Sequence, residues 1–354
     1  MARVITKRYK IGDVKPGMEL GGSLITENRK FALGEGTILT ASLIERLKGW
    51  GVDVVDIRQT VDTSAKEAPL TEAQEAVSSD YHDTVLSLKK SFETIRFSKQ
   101  VPYKEMKELA DTSLERFIST TGIFNHLQMV RRRDDYTFHH SVDVAVMCGV
   151  VGSWLGYRGD ELKDLVLAGL LHDIGKTQIP LAILRKPAQL NPQEMEVMRL
   201  HTVRGYNITK DLGLPAAVNY AILQHHERED GSGYPLQVKG DKIHPFAKIV
   251  AIVDIYDAMT SDKVYRKKTT PFAAVETVMR DMYDKLDPNI CTIFLNNVRD
   301  YFIGNVVLLS DGREAEVVYL GKSISARPVV KAEDGEFIDL EQRKGLSIIQ
   351  VIKT

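Results

Sequence analysis

The sequence contains only two cysteines, Cys148 and Cys291, among its 354 residues. So few cysteines exclude a disulfide framework and favour a reducing compartment. An uninterrupted apolar run of membrane-spanning length is also lacking, since the region 142–155 is broken by Asp143 and by glycines. The amino-terminal stretch MARVITKRYK has no apolar segment of the kind found in secretory signals. We therefore expect a soluble, cytoplasmic protein that does not enter a membrane.

An excess of one charge sign is missing as well. There are 47 Lys and Arg against 48 Asp and Glu, which gives a formal net charge of -1. A protein that binds nucleic acid polymers by bulk electrostatics needs a large basic excess, so that class is disfavoured. A small anionic ligand bound by a few local cations remains compatible with this balance.

Changes of pattern along the chain predict four parts, with no long internal repeat. Residues 1–62 mix short strand patterns with turn signals and a short helix (42–48), which indicates a small β-rich module. Residues 63–133 read as a linker (63–79) followed by two amphipathic helices. Residues 134–303 have helical period throughout, and residues 304–354 read as short strands joined by tight turns. The predicted fold class is multidomain α+β, a central all-α domain flanked by small β-rich modules.

Histidine and aspartate are concentrated in the all-α part. Seven of the nine histidines fall between His139 and His244. His172-Asp173 follows the apolar run 165–171, His225-His226 ends the run 218–223, and Asp254 lies within the run 249–255. Titratable groups beside buried helices are costly unless something pairs with them, and a metal ion does so.

Adding His140 and His201 gives a set that reads as ligands for a pair of metal ions. Imidazole and carboxylate together suit iron, manganese or zinc, and two such ions close together are a recurring means of cutting phosphoester bonds. Lys176 lies one helical turn after His172, where its ammonium could hold a phosphate oxygen; the alternative is a solvated surface lysine. We interpret His82, His126 and His244 as ordinary core or surface residues.

At this point the sequence resembles the HD-GYP subgroup of the HD-domain metal-dependent phosphohydrolases. The resemblance covers roughly residues 134–290, half the chain. Five stretches carry it in order: Tyr136-Thr-Phe-His-His140-Ser, His172-Asp173-Ile-Gly-Lys176, His201 to Gly205, His225-His226-Glu-Arg-Glu-Asp230-Gly-Ser-Gly-Tyr-Pro235, and Asp254-Ile-Tyr-Asp257-Ala-Met-Thr-Ser.

The resemblance implies a binuclear site that holds two divalent metal ions, iron first, with manganese or another transition metal as alternatives. The implied ligands are His140, His172, Asp173, His201, His225, His226 and Asp254, with Asp173 bridging and Lys176 beside the substrate phosphate. Asp173 and Lys176 are the implied catalytic residues. His139 competes with His140 for the first position, and His140 is favoured because Ser141 follows it, as in the family. The implied activity is hydrolysis of cyclic di-GMP to linear pGpG, to GMP or to both, by a metal-bridged hydroxide.

The sequence departs from the family pattern at two places. Some members place a glutamate four residues before the first histidine to help hold a third metal; here that residue is Tyr136, so we expect two ions. The segment after Asp254 usually contains an RPYR-like run, and here it reads Lys263-Val264-Tyr265-Arg266. Lysine keeps the charge but loses bidentate recognition. Lys263, Arg266, Lys176 and Tyr234 are the predicted substrate contacts, although Tyr234 could equally serve the architecture of its glycine-rich loop.

Two other functions compete with the phosphodiesterase. One is a cyclic-dinucleotide-binding effector that acts through protein contacts, and the other is an HD-type hydrolase of a different nucleotide. A full ligand set favours catalysis, and the loop before Pro235 disfavours another nucleotide. Candidate partners are cyclic di-GMP, diguanylate cyclase (GGDEF) or other signalling proteins, and a second copy of the chain.

Overall fold

The protein is described by a computed structural model that covers residues 2–22, 24–25, 32–34, 36–62, 72–113, 117–118, 123–124, 127, 136–261, 269–321 and 327–353. The chain forms two compact units, residues 1–74 and residues 75–354. The predicted α+β class, with a central helical region between two β-rich regions, is confirmed. The finer division into four parts stays a prediction.

Among its described residues, the first unit contains a three-stranded sheet, a separate two-stranded sheet and one α-helix. Its strands are β1 (Ala2–Lys10), β2 (Glu19–Leu20), β3 (Leu24–Ile25), β4 (Ala32–Leu33) and β5 (Val54–Asp62), and its helix is α1 (Ala41–Gly49). β3 and β4 form the two-stranded sheet. In the three-stranded sheet, β5 lies between β1 and β2, and β1 pairs with it antiparallel over nine residues. Leu20, Leu47 and Ile57 form part of its core. The short helix predicted at 42–48 is confirmed, with one more residue at each end.

The second unit consists mostly of helices, and a β-sheet follows them. The helices are α2 (Glu72–Ser98), α3 (Tyr103–Glu108), α4 (Tyr136–Trp154), α5 (Gly159–Leu171), α6 (Leu181–Leu184), α7 (Pro192–Arg199), α8 (His201–Thr209), α9 (Ala216–Gln224), α10 (Pro245–Thr260), α11 (Pro271–Asp281) and α12 (Pro288–Val298). Short 3₁₀ turns occupy Ile174–Gln178, Gly240–Lys242 and Arg299–Phe302, and a π-helical turn occupies Leu109–Ser113. Among the described helices, none has the length and apolar character that crossing a membrane requires.

The long helix α2 begins earlier than the sequence pattern indicated. It starts at Glu72, so residues 72–79 are helical rather than linker, because this segment is rich in strong helix formers and has no proline or glycine. Its amphipathic character is confirmed, since Tyr81, Val85, Leu88, Phe92 and Ile95 recur at three- and four-residue steps and are buried. Residues 63–71 of the predicted linker lie outside the described residues.

A five-stranded antiparallel sheet ends the chain. Its strands are β6 (Val306–Leu309), β7 (Glu314–Tyr319), β8 (Val329–Ala332), β9 (Phe337–Asp339) and β10 (Ile348–Lys353), in the order β10-β6-β7-β8-β9. Alternate residues such as Val307, Val317 and Val330 are buried. The strands predicted after residue 304 are confirmed.

A direct backbone contact joins the Ile174–Gln178 turn to α8. A Cβ atom added at Gly175 would overlap the carbonyl oxygen of His201 and would lie 2.5 Å from the amide nitrogen of Gly205. Only glycine allows two segments of backbone to approach this closely. The contact brings the residues around Asp173 next to the start of α8, where His201 lies.

We predict that Gly175→Ala destabilises the second unit by about 1–3 kcal/mol, the usual cost of overpacking a well-packed interior. The shift would be measured as a lower midpoint of thermal or urea unfolding. Gly345→Ala is the matched control, since a Cβ atom there meets nothing within 4 Å. Equal midpoints for the two variants would contradict this account of the close contact.

Candidate metal centre

Seven side chains predicted as ligands converge in the interior of the helical unit. His140 lies in the second turn of α4, His172 and Asp173 directly follow α5, and His201 begins α8. His225 and His226 directly follow α9, and Asp254 lies in the middle of α10. His140, His172, Asp173, His201 and His225 are almost completely buried, whereas the side chains of His226 and Asp254 keep 20% and 13% exposure. The cluster is therefore open to solvent on the side of His226 and Asp254.

Backbone carbonyls fix the protonation of three of the histidine rings. The Nδ1 atoms lie 2.7 Å from Gly169 O for His172, 2.8 Å from Met198 O for His201 and 3.0 Å from Ile222 O for His225. Because a carbonyl oxygen only accepts hydrogen bonds, each Nδ1 must donate, and a neutral ring then presents a lone pair at Nε2. All three rings direct metal-binding atoms away from the carbonyls.

Two of these lone pairs face each other. His201 Nε2 and His225 Nε2 are 3.3 Å apart. His172 Nε2 is buried and has no hydrogen-bond partner among the described residues. Buried acceptors without donors are unfavourable, and a bound cation satisfies all of them at once.

The two carboxylates lie between the rings. Asp173 Oδ1 is 3.4 Å from His201 Nε2, and its Oδ2 is 3.4 Å from His172 Nε2. Asp254 Oδ1 is 3.1 Å from His140 Nε2, and its Oδ2 is 3.9 Å from His226 Nδ1. Asp173 thus lies close to rings from two different elements through two different oxygens.

Three overlapping groups have ligand atoms within 4.8 Å of one another: His201 with His225 and His226, His140 with His172 and Asp254, and His172 with Asp173 and His225. The donors are imidazole nitrogen and carboxylate oxygen, which suits divalent transition metals. The residues present therefore fit metal ions, and together they could hold more than one.

His140 differs from the other rings because its Nδ1 lies 2.6 Å from Asp257 Oδ2 rather than from a carbonyl. Asp257 is fully buried and also accepts from Ser261 Oγ at 3.2 Å. A carboxylate on the far side of a ligand histidine orients the ring and makes it a stronger donor. Our sequence analysis missed this role, although Asp257 follows Asp254 by three residues and therefore shares its helix face.

Electrostatics keep most of the cluster in metal-binding form. Burial lowers the pKa of His201 to about 4, against the opposing charge of Asp173. Burial also lowers the pKa values of His225 and His226 well below their ordinary value. For Asp173, burial acts to raise the pKa, but the charges of Lys176 and His172 outweigh it and leave the pKa well below its usual value. At neutral pH His201, His225 and His226 are therefore neutral imidazoles, and Asp173 carries its negative charge.

His140 is the exception. Burial would lower its pKa, but hydrogen bonds with Asp254 and Asp257 outweigh burial and raise the pKa to about 9. In the metal-free protein the His140 ring is thus a cation that pairs with Asp254. It must release its Nε2 proton when a metal ion binds.

The predicted substrate contacts are only partly described. Lys176 Nζ donates to Asp173 Oδ2, and 24% of its side chain is exposed against 1% for Asp173. The Tyr234 ring lies 4.8 Å from the His226 ring, with the Arg199 guanidinium 5.3 Å from its centre. Lys263 and Arg266 lie outside the described residues, as does the side chain of Tyr136.

The loop that bears Tyr234 is anchored to the histidine pair. Glu227, which follows His226, accepts hydrogen bonds through Oε1 from the backbone amides of Leu236 at 2.6 Å and Gln237 at 3.1 Å. A Cβ atom at Gly233 would lie 2.5 Å from the carbonyl oxygen of His226, so the loop depends on glycine here. Our sequence analysis did not single out Glu227.

The remaining histidines have local partners. His139 Nδ1 lies 3.1 Å from the Tyr81 hydroxyl, and that hydroxyl donates to Asp143 at 2.7 Å. His82 Nδ1 contacts Ser78 O, and His244 accepts from Phe246 N at the start of α10. His126 lies outside the described residues.

Comparison with known proteins identifies the family. The family model described as HD domain matches residues 106–290, more than half of the chain. The chain belongs to the HD-domain family. The family resemblance seen in the sequence is confirmed. The fold also resembles that of an HDG"Y"P protein from Bdellovibrio bacteriovorus, with a TM-score of 0.54, 17% identity, and coverage of 83% of this chain and 100% of the other.

Several relatives are similar in sequence to this chain. A cyclic di-GMP phosphodiesterase of Pseudomonas aeruginosa is 31% identical over 223 residues, which cover 63% of this chain and 54% of that protein. A cyclic di-GMP phosphodiesterase of Borreliella burgdorferi is 24% identical over 78% of this chain and 73% of its own length. A 3′3′-cGAMP-specific phosphodiesterase of Vibrio cholerae is 33% identical over 49% of this chain and 41% of its own length. The chain thus spans about half the length of the first and third of these relatives.

We predict that Asp257→Asn weakens metal binding about 10- to 100-fold, because the His140 ring loses the charged partner that orients it. The measurement is metal affinity by calorimetry or by competition with a chelator. Asp284→Asn is the matched control, since Asp284 is an exposed aspartate beyond α11. Unchanged affinity in Asp257→Asn would contradict the proposed orienting role.

We also predict that the metal-free protein loses stability as the pH falls from about 6.5 to about 4. In this window His201 stays neutral when folded but takes up a proton when unfolded, because its folded pKa is lowered from 6.5 to about 4. The unfolded state then binds more protons, so the free energy of unfolding decreases with falling pH. In urea unfolding at a series of pH values, the free energy of unfolding should depend less steeply on pH in His201→Gln than in the unmodified protein. An unchanged dependence on pH would contradict the lowered pKa of His201.

Proposed function

We propose that this protein is a metal-dependent phosphodiesterase that hydrolyses cyclic di-GMP to linear pGpG, to GMP or to both. The observation that carries the proposal is the buried convergence of imidazole nitrogens and carboxylate oxygens, in which His172 Nε2 has no hydrogen-bond partner among the described residues and His201 Nε2 lies 3.3 Å from His225 Nε2. Membership of the HD-domain family and the names of the relatives support this substrate class.

The proposed ligands are His140, His172, Asp173, His201, His225, His226 and Asp254, and we propose two divalent ions, iron first and manganese second. The contact of each Asp173 oxygen with a different histidine supports its role as the bridging ligand. When bound, such ions would supply Lewis acidity toward a phosphate and would make a water acidic enough to act as nucleophile near neutral pH.

Lys176 is proposed to bind a non-bridging phosphate oxygen. Its ammonium contacts Asp173, and part of the side chain reaches solvent, so an incoming phosphate can meet it without rearrangement of the backbone. A fixed cation beside the reacting phosphate stabilises the charge that develops as the ester bond breaks.

Tyr234 is proposed to contact a base of the dinucleotide. Its ring lies beside His226, and the loop is anchored through Glu227, so the ring is held next to the open side of the cluster. An aromatic face stacks on any base, so Tyr234 supports binding but does not by itself select guanine. Lys263 and Arg266 remain proposed phosphate or base contacts.

A second substrate, 3′3′-cGAMP, is the main competitor, because three relatives in Vibrio cholerae are named as specific for it. The two dinucleotides differ in one base only. The non-catalytic effector fits less well, since a protein that only binds a dinucleotide has no need for buried lone pairs that converge on a common centre.

The test is a product assay on protein purified without oxygen and loaded with iron or manganese. We expect linear dinucleotide or GMP from cyclic di-GMP, a slower reaction with 3′3′-cGAMP, and about two metal ions per chain. Binding of cyclic di-GMP without turnover would favour the effector, and preference for a nucleoside triphosphate would favour a hydrolase of another nucleotide. Three ions per chain would contradict the interpretation of Tyr136.

Two variants separate metal binding from catalysis. Asp173→Ala is expected to lose both metal and activity, because it removes the carboxylate shared by the histidine groups. Lys176→Met is expected to retain metal and lose activity about 100-fold or more, in line with the loss of one stabilising group at a reacting centre. Equal metal loss in both variants would contradict the role of Lys176.

A further inference from the structure

The helix α2 contributes one arginine to the neighbourhood of Lys176. Arg96 Nη2 donates to the carbonyl oxygen of Lys176 at 2.7 Å, and Arg96 Nη1 donates to the carbonyl oxygen of Ile179 at 2.9 Å. Both acceptors belong to the short segment that follows His172 and Asp173. One guanidinium therefore spans the segment that carries the proposed phosphate-binding lysine, from a helix 80 residues earlier in the sequence.

The turn makes few hydrogen bonds of its own, although it packs against α8 through Gly175. The 3₁₀ turn Ile174–Gln178 has five residues and no side-chain cap at its start. Its internal bonds include Lys176 N to Asp173 O at 2.9 Å and Ile179 N to Lys176 O at 3.1 Å. Single 3₁₀ turns have poor hydrogen-bond geometry and are weak in isolation. Additional donors to the carbonyls of residues 176 and 179 thus decide how firmly the Lys176 Cα is placed.

We propose that Arg96 is a positioning residue that places the Lys176 ammonium for phosphate binding by holding the backbone of this turn. The inference rests on the proposed function. It adds a residue of α2, which lies before the matched family region 106–290. Small displacements matter at such a site, because a misplacement of about 1 Å can reduce the rate about 100-fold.

The chemistry of arginine suits this task. Its planar guanidinium presents N–H donors on two different nitrogens to two carbonyl oxygens at once, whereas all the donors of lysine are on one nitrogen. Arg204 on α8 also donates to this turn, at Gln178 O. Arg96 differs from it because it reaches the carbonyl of Lys176 itself.

The first test measures the turn directly, by hydrogen–deuterium exchange on the metal-loaded full chain without substrate. Arg96→Met should make the amides of residues 174–179 exchange about 10-fold faster. Arg96→Lys should show the same change, because lysine keeps the positive charge but cannot donate to both carbonyls as the planar guanidinium does. The control is Arg327→Met, since Arg327 also donates to backbone carbonyls, at Leu340 and Leu346 in the terminal sheet. Unchanged exchange at residues 174–179 in both Arg96 variants would overturn the proposal.

The second test asks whether Arg96 acts through Lys176. With cyclic di-GMP as substrate, Arg96→Met should lower kcat about 10- to 100-fold with metal content unchanged. The double variant Arg96→Met/Lys176→Met should be no slower than Lys176→Met alone, because the two residues share one role. A double variant whose kcat is reduced by the product of the two single reductions would overturn the proposal. If the unmodified protein hydrolyses no cyclic dinucleotide, the proposed function fails, while the exchange measurement still decides whether Arg96 holds the turn.

Discussion

Two carboxylates, Asp173 and Asp254, lie where water cannot solvate their charge well, and much of the helical unit is arranged around that constraint. Charged groups in the interior are tolerated only when they are paired or coordinate metal. Lys176 and the His140 cation compensate them in the metal-free state. Both compensating groups can leave the carboxylates, Lys176 by moving its flexible side chain and His140 by losing a proton. The fold thus keeps a balanced interior that is ready to exchange its internal cations for metal ions.

The positions of the histidines follow from the ends of helices. The last carbonyls of a helix have no partner within the helix. His172, His201 and His225 each come one or two residues after a helix ends, and each donates Nδ1–H to a carbonyl of that last turn. Local backbone therefore fixes the tautomer of all three rings. His140 lies inside α4 and uses a carboxylate from a distant helix, Asp257, which explains why its pKa is raised while burial lowers the pKa values of His201 and His225.

The distinction between local contacts and contacts between distant residues explains which features could be predicted from the sequence. Helix ends, apolar runs and the histidines beside them are local features, so the all-α region, the terminal strands and the convergent side chains were predictable. Arg96 and the contact of Gly175 with α8 depend on residues far apart in the chain and have no periodic signal. Asp257 shares a helix face with Asp254, but its partner His140 lies 117 residues earlier in the chain. The start of α2 was missed for another reason: helix propensity extended it into a stretch whose small polar residues resemble a linker.

The site also depends on residues outside the region that defines its family. The family match begins at residue 106, yet α2 supplies Tyr81, which contacts His139 and Asp143 beside the ligand candidate His140, and Arg96, which contacts the turn of Lys176. These two residues are 15 positions apart, roughly 22 Å along a helix axis. One rigid helix therefore contacts the neighbourhoods of a metal ligand and of the phosphate-binding lysine together. A shift of α2 would therefore change both neighbourhoods at once, and the geometry of the candidate site depends on a segment that family membership alone does not specify.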